Sequence, residues 1–74
     1  MVEIYGAEWC AYCKNAVKLC EEKQVQYSYI DIDDSANFRQ LEERVGMRLK
    51  QDPQVFIDGT HVSGGFSGLQ QALA

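Results

Sequence analysis

The sequence predicts an α/β protein whose strands and helices follow each other in the order βαβαββα. Two observations carry this prediction. The hydrophobic period alternates along the chain between that of strands and that of helices, and an Asp-Gly pair stands between two short runs of β-forming residues. A chain of 74 residues is short enough that we expect one domain, residues 1–74, built around one core.

The first half of the chain predicts a strand, a helix and a second strand. Residues 2–5 are β-forming and lead to Gly6, and apolar positions between residues 11 and 23 recur at the spacing of one helix face. Residues 26–32 are rich in β-branched and aromatic side chains and lead into the acidic turn at residues 33–35. This order predicts a right-handed βαβ unit.

The second half predicts a helix, a β-hairpin and a final helix. The first of these helices is expected to begin at an N-cap, Asp34 or Ser35, and to stop at Gly46. Two short strand-forming runs then flank Asp58-Gly59, which is a strong signal for a two-residue hairpin turn. Apolar residues in 66–73 recur at helical spacing and predict a short terminal helix.

Composition and charge exclude several classes of protein. The net charge is -4 with a pI near 4.7, and the basic residues are scattered, so we expect no nucleic-acid partner. No apolar run approaches the roughly 20 residues of a membrane span, and residues 1–5 lack the pattern of a secretory signal. We therefore expect a monomeric cytoplasmic protein that does not bind membranes.

Cys10 and Cys13 form a C-x-x-C pair between the first strand and the first helix. Three cysteines cannot form a fully paired disulfide framework, so catalytic or metal-binding thiols in a reducing cytosol are expected. At a helix start, backbone N–H groups and the helix dipole favour the thiolate of Cys10, while Cys13 lies on the inward face. The spacing predicts that Cys10 attacks a disulfide and that Cys13 resolves the mixed disulfide.

The same pair is also half of many zinc sites, and Cys20 and His61 are the residues that could complete one here. The helical period instead places Cys20 in the core, and the hairpin pattern places His61 on the surface. We therefore expect no metal site.

Four stretches of the chain show a family resemblance: residues 10–13 after a strand, residues 53–58 with their leading proline, the hairpin at 58–62, and Gly64-Gly65-Phe66-Ser67 before the last helix. With them the chain resembles the glutaredoxins, especially compact ones of bacteria and phages. The resemblance implies the thioredoxin fold, a four-stranded mixed sheet flanked by three helices. It also implies glutathione as the reducing cosubstrate and disulfide-containing proteins, with ribonucleotide reductase a candidate, as substrates.

The resemblance further implies a glutathione site. In the family, the proline matching Pro53 is cis and presents the backbone of the preceding residue to the tripeptide. The segment matching residues 65–67 receives the γ-glutamyl carboxylate at a helix start. By this resemblance the glutathione contacts are Tyr12, Gln51, Asp52, Pro53, Gly65, Phe66 and Ser67.

Some positions depart from the family pattern. Ala7 stands where many members have Lys or Arg, which leaves Arg48 or Lys50 to hold the glycine carboxylate of glutathione. Asp52 places a carboxylate near Cys10, where it opposes an anionic tripeptide. Two further departures are an extra residue, Ser63, and a glycine where an acidic residue is common, Gly68.

Two other functions remain open. One is a short redoxin that is reduced by thioredoxin reductase and donates electrons to ribonucleotide reductase, because residues 63–66 fall between the patterns of the two classes. The other is an iron–sulfur carrier, in which two subunits hold a cluster through Cys10 and glutathione. Tyr12 and the Gly64-Gly65 pair favour glutathione chemistry.

Overall fold

The strands and helices lie in the predicted order. A computed structural model describes residues 1–46 and 53–74, with strands β1 Val2–Gly6, β2 Tyr27–Asp31, β3 Gln54–Ile57 and β4 Thr60–Val62, and helices α1 Ala11–Glu22, α2 Ser35–Val45 and α3 Gly65–Ala72. The strands form one sheet in the order β2-β1-β3-β4. β1 pairs parallel to β2 and antiparallel to β3, and β3 pairs antiparallel to β4. The predicted mixed sheet with three helices is confirmed.

The alternation of side chains along β1 divides the core between the two faces of the sheet. Val2 and Ile4 face one side, where α1 and α3 pack, whereas Tyr5 faces the other side, where α2 packs. The first cluster contains the buried residues Val2, Ile4, Ala16, Cys20, Val55 and Leu69. The second contains Tyr5, Leu41 and Phe56. Both faces of the sheet are therefore covered by helices.

Cys20 lies in the first of these clusters and has no exposed surface. Burial, with a smaller contribution from the charge of Glu21, raises the pKa of its thiol. A buried thiol that resists ionisation is a poor nucleophile and a poor metal ligand. Cys20 is thus a packing residue of the core, as its place in the helical pattern predicted.

The second helix begins and ends where the sequence indicated. The Asp34 carboxylate accepts hydrogen bonds from the backbone N–H groups of Ala36 at 2.9 Å and Asn37 at 3.3 Å. Asp34, rather than Ser35, is therefore the N-cap, and it satisfies two N–H groups that have no partner within the helix. The helix stops at Gly46, whose φ of +73° is left-handed.

The last helix packs unusually close to the end of the hairpin. A Cβ added at Gly68 would overlap the carbonyl oxygen of Ser63 and lie 2.9 Å from a methyl group of Val62. Any side chain at position 68 would push α3 away from β4. The close approach of α3 to the hairpin explains why a glycine stands at this position.

Arg44 fastens α2 to the sheet. Its guanidinium donates two hydrogen bonds of 3.0 Å to the Glu3 carboxylate and one of 2.8 Å to the Tyr5 hydroxyl. The guanidinium carbon also lies 3.7 Å from the centroid of the Phe56 ring. These hydrogen bonds, chiefly those to Glu3, raise the pKa of Arg44. Leu41 is the only fully buried residue of α2, and this planar contact adds to the packing of the helix on that face.

We expect Arg44→Lys to lower the free energy of unfolding by about 1–2 kcal/mol, because an ammonium keeps the charge but cannot make the forked hydrogen bonds or the flat stacking contact. Arg39→Lys is the matched control, since Arg39 is an exposed residue of the same helix. Urea unfolding followed by circular dichroism measures both losses. Equal losses for the two variants would contradict this account of Arg44.

Candidate active site

Cys10 occupies the N-cap of α1. Its backbone is extended, with φ -96° and ψ 112°, and its Sγ accepts a hydrogen bond from the backbone N–H of Cys13 at 3.3 Å. Its own N–H donates to the carbonyl of Ala7 at 3.1 Å, which closes the loop after β1. The sulfur therefore takes the place of the oxygen of an ordinary N-cap residue. Helix N-terminal amides and the helix dipole stabilise a negative charge at this point.

Cys13 lies one turn further along the helix and faces the sheet. It has no exposed surface, whereas Cys10 is 8% exposed, and all three cysteines are in the thiol form. The last residue of β1 makes room for it: a Cβ added at Gly6 would lie 2.7 Å from both the Cβ and the Sγ of Cys13. The glycine lets the start of α1 sit directly over the strand end. A disulfide substrate can therefore reach Cys10 more easily than Cys13.

Two aromatic rings lie side by side where the starts of α1 and α3 meet. The rings of Tyr12 and Phe66 lie 6.1 Å apart, tilted by 35°, and Tyr12 is 62% exposed. Next to them, a Cβ added at Gly65 would lie 2.9 Å from the carbonyl oxygen of Pro53. Gly65 also has a φ of +56°, which glycine adopts without strain. Two pairs of predicted contact residues, Tyr12 with Phe66 and Pro53 with Gly65, are thus in proximity.

Of the remaining predicted glutathione contacts, one lies within the described residues and two lie outside them. Ser67 follows Phe66 in the first turn of α3, where backbone N–H groups have no partner within the helix. Gln51 and Asp52 lie outside the described residues, as do the two candidates for holding the glycine carboxylate, Arg48 and Lys50.

Tyr29 is a residue that the sequence pattern assigned only to the second predicted strand. Its hydroxyl oxygen would lie 3.2 Å from a Cβ at Gly6, on the space that Cys13 also borders. Burial, followed by the charges of Cys13, Asp31, Cys10 and Glu8, raises the pKa of Tyr29 to about 12. The sequence shows a glycine at the end of the first strand and a tyrosine in the second, but only the strand register, which pairs Tyr29 with Ile4, reveals that the tyrosine hydroxyl reaches Gly6.

Comparison with known proteins agrees with this geometry. The glutaredoxin family model matches residues 2–62. Glutaredoxin 3 of Escherichia coli is 39% identical over 64 residues, which span 85% of this chain and 75% of that protein. These matches decide the family.

The chain is a glutaredoxin.

Solved structures support the assignment. The reduced glutaredoxin of Escherichia coli superposes with a TM-score of 0.78 at 28% identity, covering 97% of this chain and 91% of that one. A buckwheat glutaredoxin in complex with glutathione gives a TM-score of 0.74 at 27% identity, covering 95% of this chain, which spans 64% of the buckwheat protein. A thioredoxin-like protein gives 0.80 at 28% identity over the full length of both chains. The thioredoxin fold is thereby confirmed.

Membership of this family, with Cys10 and Cys13 adjacent at a helix start, makes thiol–disulfide redox chemistry the function of this glutaredoxin.

Ala7, a departure from the family pattern, and Trp9 both lie in the loop before α1, beside Cys10. Ala7 has no exposed surface, and its carbonyl holds the Cys10 N–H, so this position shapes the loop and offers no charge to a ligand. Trp9, just before Cys10, is 71% exposed, which favours a contact surface for partners over a role as hydrophobic cover.

The zinc alternative gains no support. Across residues 1–46 and 53–74 there is no group of three His, Cys, Asp or Glu side chains arranged to hold a metal ion. His61 lies on the hairpin, with its Nε2 2.8 Å from the side-chain oxygen of Gln54 and its ring 5.1 Å from that of Phe56.

Within residues 1–46 and 53–74, no helix has the length and apolar character needed to cross a membrane.

We expect Gly65→Ala to lower the free energy of unfolding by about 2–3 kcal/mol, through left-handed backbone strain and the clash with the Pro53 carbonyl. Gly46→Ala is the matched control, because Gly46 is also left-handed but a Cβ added there would meet no atom of residues 1–46 or 53–74 within 4 Å, so about 1 kcal/mol is expected. Chemical denaturation measures both. A loss for Gly65→Ala no larger than for Gly46→Ala would contradict the packing of α3 against Pro53.

Proposed function

We propose that this glutaredoxin is a glutathione-dependent oxidoreductase of the dithiol type, which reduces protein disulfides and glutathione mixed disulfides. Cys10 is the nucleophile and Cys13 the resolving thiol. The observation that supports this order most strongly is the N-cap geometry. The Cys10 sulfur accepts an amide hydrogen bond at the helix start, and Cys10 keeps 8% of its surface exposed, whereas Cys13 has none.

The reaction has two exchange steps on this chain. In the first, the Cys10 thiolate attacks one sulfur of the substrate disulfide, forms a mixed disulfide and releases the other substrate sulfur as a thiolate that takes up a proton. In the second, Cys13 loses its proton and attacks the Cys10 sulfur, which forms the Cys10–Cys13 disulfide and releases the reduced substrate. Two glutathione molecules then return the pair to the dithiol and leave as glutathione disulfide.

The groove beside Cys10 is the proposed glutathione site. Tyr12 and Phe66 form its aromatic wall, and the backbone N–H groups of residues 65–67 offer donors to the γ-glutamyl carboxylate. Pro53 borders the groove through its contact with Gly65. The glutathione complex of the buckwheat relative supports this choice of ligand. Gln51 and Asp52 stay proposed contacts on the strength of the family resemblance.

Partners and compartment follow from the same chemistry. We propose that the protein acts as a monomer, as one domain over residues 1–74, in a reducing compartment such as the cytoplasm, where thiols are kept available. Its protein substrates carry exposed disulfides formed during turnover, and ribonucleotide reductase is one candidate. No resident metal is required for this chemistry.

A second candidate differs only in the source of electrons. The thioredoxin-like neighbour matches the full length of this chain, and residues 63–66 resemble the short redoxins in part. In that case thioredoxin reductase, and not glutathione, would reduce the Cys10–Cys13 disulfide.

A coupled assay separates the two reductants. We expect NADPH consumption on a disulfide substrate with glutathione and glutathione reductase, and none above background with thioredoxin reductase, because the groove holds the tripeptide next to the disulfide. Omitting this protein gives the background rate. Turnover with thioredoxin reductase alone would refute glutathione dependence while leaving the exchange chemistry intact.

Cysteine variants test the order of the two thiols. Cys10→Ser should lower the reduction of protein disulfides and of glutathione mixed disulfides by roughly a hundredfold or more, because a hydroxyl is not ionised at neutral pH. Cys13→Ser should keep reduction of glutathione mixed disulfides within about tenfold of the unchanged protein and lose reduction of protein disulfides, because only the latter needs resolution by a second thiol.

Cys20→Ala is the control, since Cys20 is buried in the core, and both activities should persist. Retention of protein-disulfide reduction by Cys10→Ser, or its loss in Cys20→Ala with the fold intact, would contradict the assignment.

A further inference from the structure

The space at the end of β1 brings the resolving sulfur and a tyrosine hydroxyl together. A Cβ added at Gly6 would lie 2.7 Å from the Cys13 Sγ and 3.2 Å from the Tyr29 hydroxyl oxygen. These two atoms therefore lie at most about 5.9 Å apart, the sum of the two distances. Gly6 has no side chain, so nothing from this residue separates them.

Tyr29 connects this space to the outside of the molecule. It lies on β2, an edge strand, in register with Ile4 of β1. Its ring lines an open, mainly apolar cavity of about 300 Å³ between β2 and α1, together with Glu8, Lys14, Val17 and Tyr27. Cys13 has no exposed surface, while 38% of Tyr29 is exposed. The tyrosine thus forms the boundary between the buried thiol and the cavity.

Burial is the main reason why the pKa of the Tyr29 hydroxyl is raised, and nearby acidic groups add to it. Cys13 of α1, Asp31 of β2, Cys10 at the N-cap and Glu8 of the preceding loop disfavour its ionisation when they are negatively charged, and Lys14 lines the same cavity. Together with burial, the negative groups raise the pKa of Tyr29 to about 12. At neutral pH the hydroxyl carries its proton and can donate it in a hydrogen bond.

We propose that Tyr29 is a positioning residue for the resolving step, and that its hydroxyl donates a hydrogen bond to the Cys13 sulfur as the Cys13 thiolate forms. This inference rests on the proposed function, because it concerns the step in which Cys13 attacks the mixed disulfide at Cys10. Tyr29 keeps its own proton throughout.

The resolving step exchanges one disulfide bond for another, with no net change in electrons or protons. Cys13 gives its proton to solvent, and its sulfur forms a bond to the Cys10 sulfur. The bond between the Cys10 sulfur and the substrate sulfur breaks, and the substrate sulfur leaves as a thiolate that takes up a proton. A thiolate inside the protein is costly unless a donor reaches it, so a hydroxyl held beside Cys13 lowers the free energy of the attacking form.

The most direct test measures the ionisation of Cys13 itself. In the Cys10→Ser background, the carbon-13 chemical shift of the Cys13 Cβ is followed against pH by nuclear magnetic resonance. Tyr29→Phe should raise the midpoint pH of this titration by about one unit, since a hydrogen bond to a charged group is worth at least a tenfold change in equilibrium.

Tyr27→Phe is the matched control. Tyr27 lies two residues away on the same strand and lines the same cavity, but its hydroxyl bonds to Glu21 at 3.0 Å. Its variant should leave the midpoint unchanged. An unchanged midpoint in Tyr29→Phe, or equal changes in both variants, would overturn the proposal.

Kinetics give a second readout on the protein with both thiols. Tyr29→Phe should slow resolution of a preformed Cys10 mixed disulfide about threefold, because a less acidic thiol is scarcer as thiolate but more nucleophilic. In the Cys13→Ser background, Tyr29→Phe should leave the glutathione mixed-disulfide reaction unchanged, since that reaction does not use Cys13. A slowing of that reaction instead would indicate damage at Cys10 and overturn the proposal.

Failure of the proposed function is distinguishable from failure of this inference. If the unchanged protein shows no glutathione-dependent turnover, the proposed function fails, but the Cys13 titration still reports on Tyr29.

Discussion

The hydrogen bond from the Cys13 amide to the Cys10 sulfur is the interaction on which the rest of the site depends. It makes a sulfur atom the N-cap of α1, so the same residue that begins the helix also carries the reactive group. The loop before it is closed by the Ala7 carbonyl, and the strand end beneath it is a glycine. The start of the helix is thereby fixed over the end of β1, and the two thiols are held in different environments.

One face of the sheet holds a structural contact, and the other face holds the candidate active site. On one face, Arg44 joins α2 to Glu3 and Tyr5 and stacks on Phe56, which is a purely structural contact. On the other face, the starts of α1 and α3 meet, and both proposed reactive thiols and the ring pair of Tyr12 and Phe66 lie there. Substitutions on the α2 face should therefore change stability while leaving the chemistry largely intact, as expected when a site is supported by a separate part of the core.

Much of this could be predicted from the sequence because the signals were local. Hydrophobic periods gave the order of the elements, and the Asp58-Gly59 turn fixed the hairpin. The place of Cys10 at a helix start followed from the strand before it and the apolar face after it. The choice of Asp34 over Ser35 as N-cap needed hydrogen-bond geometry, because both residue types cap helices equally well.

What the sequence could not supply depends on contacts between distant segments. The need for glycine at position 68 comes from the Ser63 carbonyl against which α3 packs. The proximity of the Tyr29 hydroxyl to the Cys13 sulfur depends on the register of β1 with β2, which a strand pattern alone does not set. The ring pair of Tyr12 and Phe66 likewise forms only because α3 returns beside α1. The family resemblance predicted that return, whereas periodicity alone did not.

The central claim is that Cys10 is the thiol that attacks. It is tested most directly by treating the Cys13→Ser variant, in which a mixed disulfide cannot be resolved, with oxidised glutathione, quenching in acid and mapping the adduct by peptide mass spectrometry. The account predicts one glutathione adduct, on Cys10, with Cys20 unmodified. An adduct on Cys20, or none on Cys10 while the protein stays folded, would contradict it.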